Sequence, residues 1–179
     1  MSKWEEFMAH EPTKLYYEKL NEIIWEHVRC KQLFECLEIG FDVGISARAF
    51  LSYPNITLTS VDPGEVDIGM KEMELMNVGD QWKFHPIFSD VFFKTCIWTY
   101  DIIYIDGDHS YQQTKKDFDN AWKFLKPGGL LIGHDFLHQK NFMNDADYGI
   151  TKAVSEFIKE QNVNATIYPP NPGLIVIKK

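Results

Sequence analysis

Hydrophobic residues fall along this chain in short continuous runs that alternate with longer stripes at helical spacing, the pattern of strands and helices following one another. The runs are Phe34 to Ile39, Ile56 to Val61, Tyr100 to Ile105, Leu130 to Ile132, Ala165 to Tyr168 and Leu174 to Ile177, with a less regular one from Trp82 to Phe88. That last run contains His85-Pro86, and proline suits only a sheet edge or a bulge. Ile102, Ile103, Tyr104 and Ile105 show no polar alternation, which predicts a central strand buried on both faces. The stripes are Tyr16, Leu20, Ile23, Ile24 and Val28; Ile45 to Leu51; Val66 to Met76; Thr114, Phe118, Ala121, Trp122 and Leu125; and Ile150, Ala153, Val154, Phe157 and Ile158. Strands alternating with helices predict an α/β, doubly wound sheet with helices on both faces and right-handed crossovers. Residues 1–33 read as a helical preamble, either laid against the sheet or forming one wall of a substrate pocket, and residues 34–179 as the core. No repeat or linker divides them, so 1–179 is expected to be a single domain.

Ligands of such sheets sit beyond the carboxyl ends of the strands, and there this chain becomes polar. Gly40 and Gly44 flank the turn after the first strand, Asp62 ends the second before Pro63-Gly64, and Ser89-Asp90 ends the third. Asp106-Gly107-Asp108-His109 follows the central strand and Gly133-His134-Asp135 the next. Ser110, with Gln113 three residues on, has the form of a capping box, and Pro127-Gly128-Gly129 stops the helix it opens. Glycines let the backbone approach a nucleotide, and an acid about 20 residues on accepts hydrogen bonds from ribose hydroxyls, so the layout fits an adenosine-bearing cofactor. Asp42 stands where a diphosphate-binding turn wants glycine. Its charge repels a diphosphate but tolerates the cationic methionine portion of S-adenosylmethionine, which points away from NAD. Glu38 would lie near the same cation, and Asp90 would receive the adenine amino group.

Composition narrows the class. With 45% hydrophobic and 15% aromatic residues the chain has ample apolar surface to fold. A net charge of -8 opposes reading of a nucleic-acid backbone, so no nucleic-acid partner is expected. The three cysteines lack metal spacing and read as reduced thiols of a cytosolic protein. Neither a signal peptide nor a membrane-spanning run is visible, so no membrane partner and a cytoplasmic location are expected. Trp25, Trp98 and Trp122 read as core or pocket-wall residues, and aromatics of the first helix leave a homodimer open. The polar stretch from Phe136 to Tyr148 reads as a lid that selects the substrate.

Leu37-Glu38-Ile39-Gly40 with Gly44-Ile45-Ser46, Ser60-Val61-Asp62, Ile105-Asp106-Gly107-Asp108-His109-Ser110-Tyr111, Lys126-Pro127-Gly128-Gly129 and Gly133-His134-Asp135-Phe136 resemble class I S-adenosylmethionine-dependent methyltransferases. The resemblance is greatest to methyltransferase family 24, allied to the metal-dependent O-methyltransferases of catechols and antibiotic sugars, and covers roughly residues 34 to 178. It implies a Rossmann-like sheet of seven strands ordered 3-2-1-4-5-7-6, the last antiparallel. Cofactor contacts would come from the positions of Glu38, Gly40, Gly44, Asp62 and Asp90. A magnesium or manganese ion would be held by Asp106, His134 and Asp135. His134 departs from the family, where a carboxylate or amide is more usual, and its softer imidazole opens the site to manganese, iron or zinc, or to weak binding. His109 matches the position of a general-base lysine, and a histidine titrating near neutrality suits that task.

The expected activity is methyl transfer from S-adenosylmethionine to a hydroxyl of a small molecule or sugar. Asp106, Asp135 and His134 would hold a metal on the acceptor oxygen, and His109 would take the proton. Two other readings use the same residues: a non-catalytic, regulatory binder of S-adenosylmethionine, or a metal-dependent oxygenase or hydrolase built on Asp106, His134 and Asp135.

Overall fold

The computed structural model describes residues 3–29, 32–137, 149–169 and 173–179. Two helices come first, α1 (Lys3–Ala9) and α2 (Glu11–Val28). There follow β1 (Phe34–Ile39), α3 (Ile45–Leu51), β2 (Ile56–Val61), α4 (Asp67–Met76), β3 (Trp82–His85), α5 (Ser89–Thr95), β4 (Tyr100–Ile105), α6 (Tyr111–Phe124), β5 (Leu125–Gly133), α7 (Ile150–Gln161), β6 (Ala165–Tyr168) and β7 (Leu174–Lys178). The strands form one sheet in the order β3-β2-β1-β4-β5-β7-β6. β7 runs antiparallel to both β5 and β6, while β1 to β5 are mutually parallel. This is the Rossmann-like arrangement that the resemblance implies.

Alternation along β4 shows why the sheet needs helices on both sides. Ile102 and Tyr104 belong to one apolar cluster, with α2 and α3, whereas Ile103 and Ile105 belong to the other, with α6 and α7. Ile102, Ile103 and Tyr104 have no exposed surface. Burying each such side chain stabilises the fold by about 1.5–3 kcal/mol before chain entropy is counted, so β4 anchors both layers. The stripe of α2 docks as its spacing predicts, with Leu20, Ile23, Ile24 and Val28 buried.

Some local expectations give way. β3 ends at His85 because Pro86 cannot continue the ladder, and β3 is an edge strand, where proline next to it does least harm. Ser89 and Asp90 therefore open α5 rather than close a strand. The seven residues of α5 are too few to show a periodic stripe, which is why the sequence pattern misses it. The α6 helix stops before Pro127-Gly128-Gly129, and those residues lie inside β5, where the pairing with β4 shifts register between Tyr100 and Ile102. Ser110 does cap α6, its Oγ accepting from the Gln113 N–H at 3.3 Å. The reciprocal half of the box is absent because Asp108 Oδ1 already takes the Ser110 N–H at 2.7 Å, and the Gln113 amide turns elsewhere. Trp25 and Trp98 are 54% and 70% exposed, so neither is a core residue, although Trp98 does wall a cavity beside Ile97 and Tyr100. Among the described residues, no helix is long and apolar enough to cross a membrane. The expected lid lies outside the described residues beyond Leu137.

Candidate active site

Parallel pairing decides which strand ends meet. Ile105 of β4 pairs with Gly133 of β5 and with Ile39 of β1, so Asp106, His134 and Gly40 emerge side by side at the carboxyl edge. The Asp106 N–H donates to Ile39 O at 2.8 Å and the His134 N–H to Ile105 O at 3.0 Å, which continues the ladder into the loops and fixes their first residues. Gly40 has φ +89, and a Cβ on it would lie 1.9 Å from the Asp106 carbonyl oxygen. Only glycine lets the β1 and β4 loops close this tightly.

Asp106, His134 and Asp135 offer ligand atoms that all lie within 4.8 Å of one another. His134 Nδ1 stands 3.0 Å from Asp106 Oδ2 and 3.4 Å from Asp135 Oδ1. His109 Nε2 reaches Asp135 Oδ2 at 3.2 Å and Asp106 Oδ1 at 3.6 Å, so the expected base bridges the same two carboxylates. Asp135 is held in the left-handed region at φ +59, a conformation that aspartate tolerates better than most residues and that marks a constrained site. Burial would raise the Asp106 carboxyl, but the charge of His134 and the facing imidazole of His109 outweigh it and hold Asp106 well below the usual carboxylate range. The His109 imidazole is raised, first by its contact with Asp106 and then by the charge of Asp135. Burial works to lower His134, and Asp106 and Asp135 more than reverse it.

A divalent cation fits this cluster. Among the described residues neither ring nitrogen of His134 has an aligned hydrogen-bond partner, although both are buried. Nδ1 faces the two carboxylates, whereas no hydrogen-bonding group among the described residues faces the buried Nε2, and a buried ring nitrogen left so is costly unless a ligand engages it. The donor set of two carboxylates and one imidazole suits manganese, iron or zinc at least as well as magnesium.

Two cavities open on the cluster. The larger, about 720 Å³, runs over the ends of β1, β2 and β4 and is lined by Gly40, Asp42, Asp62, Asp90, Asp106, His109 and Asp117 among others. Its size is that of an ordinary cofactor cleft. The smaller, about 330 Å³, lies between α2 and the glycine turn, with Pro12, Tyr16, Phe41, Ile45 and His134 in its wall. Gly40, Asp42 and Asp106 line both. The N-terminal helix therefore serves both of its expected purposes, packing on the sheet and walling a pocket.

The remaining expected cofactor residues separate into two groups. Asp62 and Asp90 line the larger cleft. Asp62 Oδ2 accepts from the Phe41 and Asp42 N–H groups at 2.8 and 3.1 Å, and Oδ1 from Gly64 at 2.7 Å, so this acid also locks the glycine turn in shape. Asp90 accepts from Gln113 Nε2 at 3.2 Å and faces Lys116 at 3.4 Å, contacts that keep it low. Glu38 and Gly44, by contrast, line neither cavity. Glu38 is fully buried, and its two oxygens accept from Ser46 and Ser60 hydroxyls, each at 2.5 Å. Burial pushes its carboxyl up to about 8 despite those bonds. Gly44, at φ +81, supplies the left-handed turn before α3.

Sequence reasoning missed Tyr16, Tyr104 and Asp117. Tyr104 donates to Asp106 Oδ2 at 3.1 Å, and the alternation of β4 puts residues two apart on one face, a signal that was there to read. Asp117 sits inside the buried stripe of α6, accepts from Ser89 Oγ at 2.7 Å and Gln113 Nε2 at 3.1 Å, and is pushed by burial up to about 6. A carboxylate among the stripe positions Thr114, Phe118 and Ala121 was its sequence signal.

Comparison with known proteins identifies the fold and the family. Malonyl-[acyl-carrier protein] O-methyltransferase 2 of Ilyobacter polytropus is 29% identical over 108 residues, 59% of this chain and 40% of that protein. The matched stretch thus spans less than half the length of the curated relatives it resembles. The structure of an O-methyltransferase from Bacillus cereus in complex with S-adenosylhomocysteine superposes with a TM-score of 0.69 at 18% identity, over 92% of this chain and 81% of that one. The O-methyltransferase TomG of Streptomyces achromogenes, involved in tomaymycin synthesis and solved with S-adenosylmethionine, gives 0.73 at 14% identity, over 97% and 87%. At those identities the structures speak for the fold. A family model described as a methyltransferase domain matches residues 37–136, more than half of the 179 residues, and with it the glycine turn, Asp62, Asp106, His109, His134 and Asp135. The chain therefore belongs to methyltransferase family 24.

Proposed function

We propose that this protein transfers the methyl group of S-adenosylmethionine to a hydroxyl oxygen of a small molecule or sugar, assisted by a divalent cation. The observation that carries the reading is the junction of the two cavities: Gly40, Asp42 and Asp106 line both, so a donor in one cleft and an acceptor in the other meet beside the acid cluster. S-adenosylmethionine, which relatives of the fold hold, supplies a methyl on a sulfonium sulfur, and a cation supplies the charge that lowers the pKa of the acceptor hydroxyl. Asp62 and Asp90 position the nucleoside in the larger cleft, and Asp42 offers a negative charge to the cationic end. Asp106, His134 and Asp135 would hold the cation. The acceptor oxygen forms the new O–C bond as the S–C bond breaks, and the hydroxyl proton passes to the neutral imidazole of His109. The imidazolium so formed is stabilised by Asp106 and Asp135, whose carboxylates face its Nε2 at 3.6 and 3.2 Å. Bringing two reactants together in a near-attack geometry is worth about 7–11 kcal/mol of a barrier.

The test is transfer of labelled methyl from S-adenosylmethionine to a panel of phenols, catechols and sugars, with chelator or with added Mn²⁺. The expected result is methylation of oxygen that chelator abolishes, Mn²⁺ restores and Asp106→Ala lacks. Transfer undiminished by chelator and by Asp106→Ala would exclude the cation from the reaction. Oxygen uptake or hydrolysis without methyl transfer would favour the oxygenase or hydrolase reading instead.

A further inference from the structure

Tyr16 is the one described residue of the N-terminal helices that touches the acid cluster by two independent routes. Its hydroxyl is hydrogen-bonded to that of Tyr104. Tyr104 commits its own proton to Asp106 Oδ2, so Tyr16 is the donor of the pair and the order runs from Tyr16 to Tyr104 to Asp106. Meanwhile the Tyr16 ring lies against the His134 imidazole, centroids 4.4 Å apart and planes inclined by 42°. Tyr104 has no exposed surface.

The position of Tyr16 is set by α2, whose Leu20, Ile23 and Ile24 are packed in the core. Tyr16 thus joins α2 to the cluster through both contacts. We infer that Tyr16 is a positioning residue of the reaction centre: its hydroxyl orients Asp106 through Tyr104 and its ring backs His134, so the cation site is complete only with the N-terminal helix docked. The inference rests on the cation reading given above. Groups that orient metal ligands from behind typically change metal affinity 10- to 100-fold when removed.

The experiment measures Mn²⁺ affinity by electron paramagnetic resonance of the free ion, on the full chain without cofactor or acceptor, together with S-adenosylhomocysteine affinity by calorimetry. Tyr16→Phe, which removes one oxygen, is expected to weaken Mn²⁺ binding by about tenfold or more and to leave S-adenosylhomocysteine affinity within about twofold. Tyr16→Leu should weaken Mn²⁺ further, because the ring behind His134 is gone as well. Tyr104→Phe, which removes the bond to Asp106 itself, should weaken Mn²⁺ at least as much as Tyr16→Phe, which keeps the test intact if Tyr16→Leu does not fold. Tyr53→Phe is the control: it removes a hydroxyl that bonds Asn21 O on the same helix at 3.2 Å, and should change neither affinity. Wild-type Mn²⁺ affinity in Tyr16→Phe, with binding lost in Asp106→Ala, would overturn the inference and leave the cation reading standing. Equal losses of Mn²⁺ and S-adenosylhomocysteine would make Tyr16 a packing residue and overturn it too. No Mn²⁺ binding by the wild-type chain would overturn the cation reading and this inference together.

Discussion

Replacing Glu38 by glutamine isolates the cost of keeping a carboxyl inside the sheet. Glu38 has no exposed surface, and its folded value of about 8 lies far above its ordinary 4.5. Between those values the folded chain holds a proton that the unfolded chain has lost, so unfolding free energy falls as pH rises from about 4.5 and levels off above about 8. At about 1.4 kcal/mol per pH unit the full interval corresponds to about 5 kcal/mol, an upper bound that local relaxation and water entry reduce to on the order of 2–3 kcal/mol. Glutamine cannot ionise. Its Oε1 can accept from Ser46 while its Nε2 donates to Ser60 Oγ, which also accepts from Trp82 Nε1 at 3.0 Å. Rearranging that contact costs about 1 kcal/mol at about pH 5. The expected outcome is a crossover: wild type the more stable in acid, Glu38→Gln the more stable above about pH 8. Urea denaturation of both proteins at about pH 5, 6.5 and 8.5 measures it. Asp117, raised to about 6, tilts both curves alike, so only their difference reports on Glu38. Parallel curves across that range would refute the argument.

Two further substitutions probe the scaffold. Gly40→Ala places a Cβ 1.9 Å from the Asp106 carbonyl and forces a left-handed backbone on alanine, so it should cost more than about 3 kcal/mol in denaturation and abolish S-adenosylhomocysteine binding. Ser110→Ala removes the side-chain cap of α6 and should cost about 1 kcal/mol by the same assay, with S-adenosylhomocysteine affinity unchanged.

The site was legible where chain direction alone decides it. An apolar strand that stops at an acid says where the acid is, and parallel pairing of Ile105 with Gly133 then makes Asp106 and His134 neighbours without further information. The glycine turn was legible for the same reason, since a strand, two glycines and a helix leave one shape. What escaped was set by docking. Tyr16 is one member of an apolar stripe, and nothing in that stripe says that its hydroxyl reaches Tyr104 and its ring His134 once α2 lies on the sheet. Glu38 was placed beside a cation because strand ends carry chemistry, yet it sits inside the sheet with Ser46 and Ser60 as partners, which only the three-dimensional register of β1, β2 and α3 provides. Trp25 and Trp98 show the limit of residue type, because large aromatics are usually covered and these two are not.

The most direct measurement is calorimetric titration of the protein with S-adenosylhomocysteine, and separately with Mn²⁺, in the wild type, Asp62→Ala and Asp106→Ala. The account predicts one S-adenosylhomocysteine per chain, weakened in Asp62→Ala, and one Mn²⁺ per chain that disappears in Asp106→Ala. Failure of the wild type to bind S-adenosylhomocysteine, or retention of Mn²⁺ by Asp106→Ala at unchanged affinity, would contradict it.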